Sequence, residues 1–95
     1  MKLSIRKEAE EDIDQAFGWH SANVPHVANR FLNALENLFV LVMEHPALFP
    51  IVYRDLRRAM VRHFPFSLYY RINGADVTAF AVLHQHSADE TWQTR

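Results

Sequence analysis

The chain has no cysteine among its 95 residues. That excludes disulfides and thiolate chemistry and points to a reducing compartment. Glycine and proline are scarce, at 2 and 4 residues, so there is little material for linkers. Ninety-five residues leave no room for a second core, and one domain over residues 1–95 is expected. No apolar run approaches the roughly 20 residues that a membrane-spanning helix requires. The opening MKLSIRKEAEED turns acidic where a secretory signal would need an apolar centre. With 49% hydrophobic and 22% charged residues the composition is that of a globular protein, not a disordered one. A soluble, cytoplasmic protein with no membrane partner is expected.

The net charge of −1 conceals an asymmetry. Between Tyr53 and Gly74 five arginines face one acid, Asp55, whereas residues 1–50 carry seven acids against four Lys/Arg. Such separation can create a local positive field on a nearly neutral protein. It can equally be a solvated strand face balanced by acidic helices.

The hydrophobic period changes along the chain. Residues 2–6 alternate around Leu3 and Ile5, as in a short strand. From Lys7, Ala9, Ile13, Ala16, Phe17 and His20 fall on one helical face, with acids at the positive end of the helix dipole. Asn23-Val24-Pro25 breaks this helix and Pro25 can open the next. Val27, Phe31, Leu35, Leu38, Phe39 and Val42 then form a wide stripe over residues 26–44, which His45-Pro46 ends. Residues 46–55 read as a loop. Strands follow at 57–63, 66–72 and 77–84, the last two joined by Asn73-Gly74, a strong hairpin signal. Ser87 with Glu90 is a capping-box pattern for a short C-terminal helix carrying Trp92. The expected fold is α+β: an N-terminal strand, an antiparallel helical hairpin, then a three-stranded antiparallel segment completing a twisted sheet (β-α-α-β-β-β) and a short tail helix.

Parity assigns the faces. Pairing across Asn73-Gly74 puts Leu68, Tyr70 and Ile72 with Val77, Ala79, Ala81 and Leu83, an apolar face to pack on the helices. Ser67, Tyr69 and Arg71 then share the opposite face with Thr78, Phe80, Val82 and His84. Ala59 and Val61 suit the core, which sends Arg58, Met60 and Arg62 to that opposite, open face. Guanidiniums beside exposed aromatics can hold phosphates and bases, or an acidic, apolar peptide. His84-Gln85-His86 lacks the cysteine or acid that would complete a metal site. His84 is either a general acid or base or a strand-end residue bonded to the tail. Trp92 either anchors the tail or meets a partner.

KEAEEDIDQAFGWH, VANRFLNALENLF and HPALFP match a helical hairpin and its following loop, and RRAMVRHFPFSLYYRINGADVTAFAVLHQHSADETW a three-stranded end. FPFSLYYRI and VLHQH are the most specific parts. Over nearly its whole length the chain resembles the RelE/ParE superfamily of type II toxin–antitoxin toxins. The resemblance implies a cognate antitoxin that wraps and neutralises the toxin, and operator DNA bound only through the antitoxin complex. RelE-like members cleave mRNA in the ribosome with basic residues and, variably, a histidine or tyrosine on the sheet. ParE-like members are associated with poisoning DNA gyrase.

The chain looks closer to the ParE branch. Ser67 stands where the RelE-like Y-R-L-V-Y motif has its arginine, Gln85 follows His84 where some nucleases have tyrosine, and no lysine occurs after Lys7. Two features depart from the ParE pattern: Arg6-Lys7 replaces the usual Ser/Thr-Pro helix start, and Ser87 an arginine. The resemblance therefore implies a gyrase-inhibiting toxin without cofactor or metal. It implies antitoxin or target binding through Arg58, Arg62, Tyr69, Arg71, Phe80, His84 and Trp92. The alternatives are a ribosome-dependent mRNA endonuclease, in which Arg71 and His84 would be catalytic, and a degenerate, non-toxic antitoxin-binding module.

Overall fold

The computed structural model describes residues 2–85. Its elements are β1 (Leu3–Ile5), α1 (Lys7–Asn23), α2 (Pro25–Glu44), β2 (Ile51–Tyr53), β3 (Leu56–Met60), β4 (Phe66–Asn73) and β5 (Asp76–His84). They form one five-stranded sheet in the order β1-β5-β4-β3-β2. β1 runs parallel to β5 and the other pairs are antiparallel. This is the α+β arrangement expected, with one strand more. The tail helix and Trp92 lie outside the described residues.

The helices start and stop where their chemistry dictates. Arg6 occupies the N-cap of α1 without a side-chain cap bond, leaving the first-turn acids Glu8 and Glu10 to complement the dipole. Val24 closes α1 by donating its N–H to the His20 carbonyl at 2.7 Å, and Pro25 follows at the first position of α2. α2 buries Ala28, Phe31, Leu35, Leu38 and Val42. With Ala9 and Ala16 of α1 these pack on Ala59, Leu68, Tyr70, Val77, Ala79 and Val82 of the sheet. Buried His20 sits in the same layer. Its Nδ1 lies 2.7 Å from the Ala16 carbonyl, and its ring stacks on Phe31 at 5.2 Å.

Part of the segment 46–55 is a strand, not a loop. β2 is a three-residue edge strand whose pairing with β3 shifts register between Ile51 and Tyr53. Ile51 and Val52 are both exposed, so no alternation betrays it. The strand expected at 57–63 is β3, which begins at Leu56 and ends at Met60. Beyond it the chain turns through His63, at φ 69°, and Phe64 donates to the Val61 carbonyl at 3.1 Å.

The preceding loop is tied down by two side chains from neighbouring strands. Tyr70 Oη donates to the Pro46 carbonyl at 2.6 Å, and Arg57 Nη1 donates to the Phe49 carbonyl at 2.6 Å. Burial pushes the Tyr70 phenol above its usual range, against the opposing pull of the Arg57 charge and a backbone hydrogen bond from Phe49.

The largest departure from the expected faces is in β5. Tyr70 pairs with Ala79 but Tyr69 pairs with Ala81, so Phe80 is an extra residue, a β-bulge. Phe80 and Ala81 both turn to the face away from the helices, and alternation resumes one residue out of phase. Val82 therefore joins the helix-side core, while Ala81 and Leu83 join a second cluster with Leu56, Tyr69 and Phe80. Past the end of β1, the Val82 N–H meets no strand on that side. It donates instead to Asp12 Oδ2 of α1, at 3.1 Å.

Two outcomes follow. Asp12→Ala leaves a buried N–H unpaired and should lower stability by about 1–3 kcal/mol in urea denaturation, with Asp12→Asn, which keeps an acceptor, losing less. The raised Tyr70 pKa places a stabilising contribution below the unfolded tyrosine pKa, about 10. Stability should fall as pH rises through the folded pKa, and Tyr70→Phe should flatten that loss.

Candidate functional site

The residues expected to share one face are distributed over three places. Arg58 and Arg71 lie on the face away from the helices: Arg58 pairs with Tyr69, and the Arg71 guanidinium sits 4.7 Å from the Phe80 ring centroid. Tyr69 and Phe80 are on this face too, but they are 2% and 8% exposed, not the open aromatics expected. They are packed into the cluster with Leu56, Ala81 and Leu83, against which Tyr53 leans.

Arg6 joins them from the end of β1. Its guanidinium lies 4.8 Å from the Phe80 centroid, so one ring carries two cations. The pairing of Ile5 with Ala79 brings the next residue, Arg6, beside Phe80. Sequence reasoning missed Arg6 because the first and last strands pair across the whole chain, and no local pattern signals that. Asp55 approaches Arg71, with Oδ2 3.9 Å from Nε, too far for a hydrogen bond. The Arg71 Nε is itself buried and, among the described residues, has no hydrogen-bond partner.

Arg62 is elsewhere. It lines a groove of about 560 Å³ between α2 and the end of β3, with Arg30, Asn37, Leu41, Phe49 and Met60. Because β3 stops at Met60, Arg62 belongs to the following turn and no longer follows strand alternation. Met60 and Leu41 are 53% and 39% exposed, so the groove presents apolar surface between two arginines.

His84 is on the helix side, not with Arg71. It pairs with Phe66 and their rings meet edge to face at 5.3 Å. It lines a smaller cavity of about 300 Å³ with Asp12, Trp19 and Phe66. The parity that joined His84 to Arg71 fails at the bulge, which adds one residue between them. An acid–base histidine and a charge-stabilising arginine on opposite faces cannot serve one phosphodiester. Among the described residues no three His, Cys, Asp or Glu side chains gather as a metal site, and His86 lies outside those residues.

The five arginines between Tyr53 and Gly74 thus have different occupations. Arg57 locks the loop, Arg54 lies over Tyr53 at 5.3 Å, Arg62 flanks the groove, and Arg58 and Arg71 remain on the far face. The basic segment is not one continuous anion surface. Among the described residues no helix is long and apolar enough to cross a membrane.

Comparison with known proteins bears on the family and the fold. A family model described as the ParE toxin of the type II toxin–antitoxin system, parDE, matches residues 3–88. No curated protein matches the chain. A solved structure titled "Chromosomal ParDE TA system from P. aeruginosa" is similar, with a TM-score of 0.67 at 19% identity, over 88% of this chain and 95% of that one. At that identity the likeness speaks for the fold. Taken with the family match across almost the whole sequence, it leads to one conclusion: the chain belongs to the ParE toxin family of type II toxin–antitoxin systems.

Proposed function

We propose that this protein inhibits DNA gyrase and is neutralised by a cognate antitoxin, with operator DNA reached only through the antitoxin complex. Family membership supports the toxin role. The observation that carries the choice of target is the bulge at Phe80, which puts Arg71 and His84 on opposite faces. RNA cleavage by 2′-hydroxyl attack needs a base, an acid and stabilisation of phosphorane charge in one place. The far face offers arginines without the histidine, and the helix side offers the histidine without Arg71. Gyrase inhibition by binding requires no such assembly. The ribosome-dependent endonuclease reading therefore loses its two named residues as a pair.

The antitoxin reading draws support from the groove between α2 and the end of β3. Its lining combines apolar Leu41, Phe49 and Met60 with Arg30 and Arg62. An amphipathic segment with an apolar stripe and acidic margins fits that pattern.

Purified protein should block supercoiling by gyrase or accumulate cleaved DNA, and His84→Ala should retain this effect within about threefold, less than the tenfold that corresponds to 1.4 kcal/mol. Primer extension on ribosome-bound message should show no cleavage. Unchanged supercoiling at high toxin excess, together with message cleavage lost in His84→Ala, would reverse the assignment. Met60→Asp should weaken antitoxin binding by about tenfold or more in calorimetry, since a charge then meets apolar surface. Unchanged affinity would remove the groove from the interface.

A further inference from the structure

The pair of arginines on Phe80 lies outside the groove, and the gyrase argument uses only the separation of Arg71 from His84. Arg6 and Arg71 reach the same ring from different strands, at 4.8 and 4.7 Å, which keeps the two cations within about one Debye length of each other. Their side chains are 39% and 37% exposed, so both remain accessible. A guanidinium over an aromatic ring still presents its N–H edge to an oxyanion, and the ring restrains it in advance. Among the described residues, each guanidinium has only a long ion pair. Arg6 is 3.6 Å from Glu8 and Arg71 is 3.9 Å from Asp55. Among the described residues the buried Arg71 Nε–H has no acceptor, a donor of the kind that is costly to leave unmade.

The geometry points to a carboxylate clamp. Arg6 and Arg71, held by Phe80, take acidic side chains of an extended or helical peptide segment, and the Arg71 Nε–H finds its acceptor there. This inference rests on the reading of the chain as an antitoxin-bound toxin and adds a second contact on the opposite side of the sheet from the helices. A peptide is favoured over a nucleic acid by what surrounds the pair. Glu8 and Asp55 stand beside the two arginines, so a run of phosphates would meet negative charge at both ends. Tight binding to a phosphate backbone needs many neutralising contacts, and among the described residues this side of the sheet adds to the pair Arg58, by its pairing with Tyr69, and Arg54, over Tyr53. A single carboxylate can displace Asp55 or Glu8 one for one.

The test is calorimetric titration of the purified toxin with its purified cognate antitoxin at low and high salt. Arg6→Gln and Arg71→Gln should each weaken binding by about tenfold, which is 1.4 kcal/mol, and reduce its salt dependence. Arg6→Lys should recover part of the loss, since it keeps charge without the planar fork. Circular dichroism establishes that the variants fold, and if Arg71→Gln does not, the Arg6 variants decide alone. Unchanged affinity and salt dependence in folded variants, while Met60→Asp still weakens the complex, would overturn the clamp and leave the antitoxin reading standing. Absence of any complex with the wild-type toxin would overturn both. A single-stranded oligonucleotide that competes with the antitoxin, and loses that ability in Arg6→Gln, would also overturn the clamp in favour of a phosphate site.

Discussion

The bond from the Val82 N–H to the Asp12 carboxylate holds α1 against β5 at the point where β5 departs from simple alternation. β5 is flanked by β1 and β4 and carries Val77, Ala79 and Ala81, all fully buried. β1 covers only the first part of it. Beyond that, a backbone donor in the interior needs an acceptor from outside the sheet, and α1 supplies one. With the bulge so placed, Phe80 and Ala81 both turn outward, Val82 returns to the core, and His84 meets Phe66 on the helix side. The separation of His84 from Arg71 follows from that one irregularity.

Charge in the C-terminal half is similarly divided by backbone geometry. The basic run looks continuous in sequence, yet each arginine is committed by the element that carries it. Arg57 lies on the helix side of β3 and is used on loop carbonyls. Arg62 falls beyond the strand end and turns towards α2. Only Arg58 and Arg71 stay together, and they are joined by Arg6 from the other half of the chain. The proposed docking role needs surfaces of matched charge and shape, not convergent acid and base, and the groove beside α2 and the far-face arginines are the two surfaces it invokes.

Much of the fold was legible in the sequence. The stripe of Phe31, Leu35, Leu38 and Val42 has a helical period because one side of α2 packs on the sheet. Pro25 and His45-Pro46 mark its ends, and Asn73-Gly74 fixes the β4–β5 hairpin. Ala59 and Val61 were correctly read as core, at 0% and 1% exposure. What stayed hidden depends on contacts distant in sequence. β2 is three residues long and lacks alternation, and Arg6 reaches Phe80 only through parallel pairing of the first and last strands. The bulge leaves no mark, because Ala81 and Val82 are both apolar and either could face inward. Ala81 to His84 therefore lie on the faces opposite to those that simple alternation predicts.

Whether the bulge at Phe80 divides β5 in this way is read most directly from a nuclear Overhauser spectrum of the labelled protein. His84 ring protons should show cross-peaks to the Phe66 ring, whose centroid is 5.3 Å away, and the Arg71 side chain should show them to the Phe80 ring. Cross-peaks from the His84 ring to Phe80 or Arg71, with none to Phe66, would contradict the separation of the two faces.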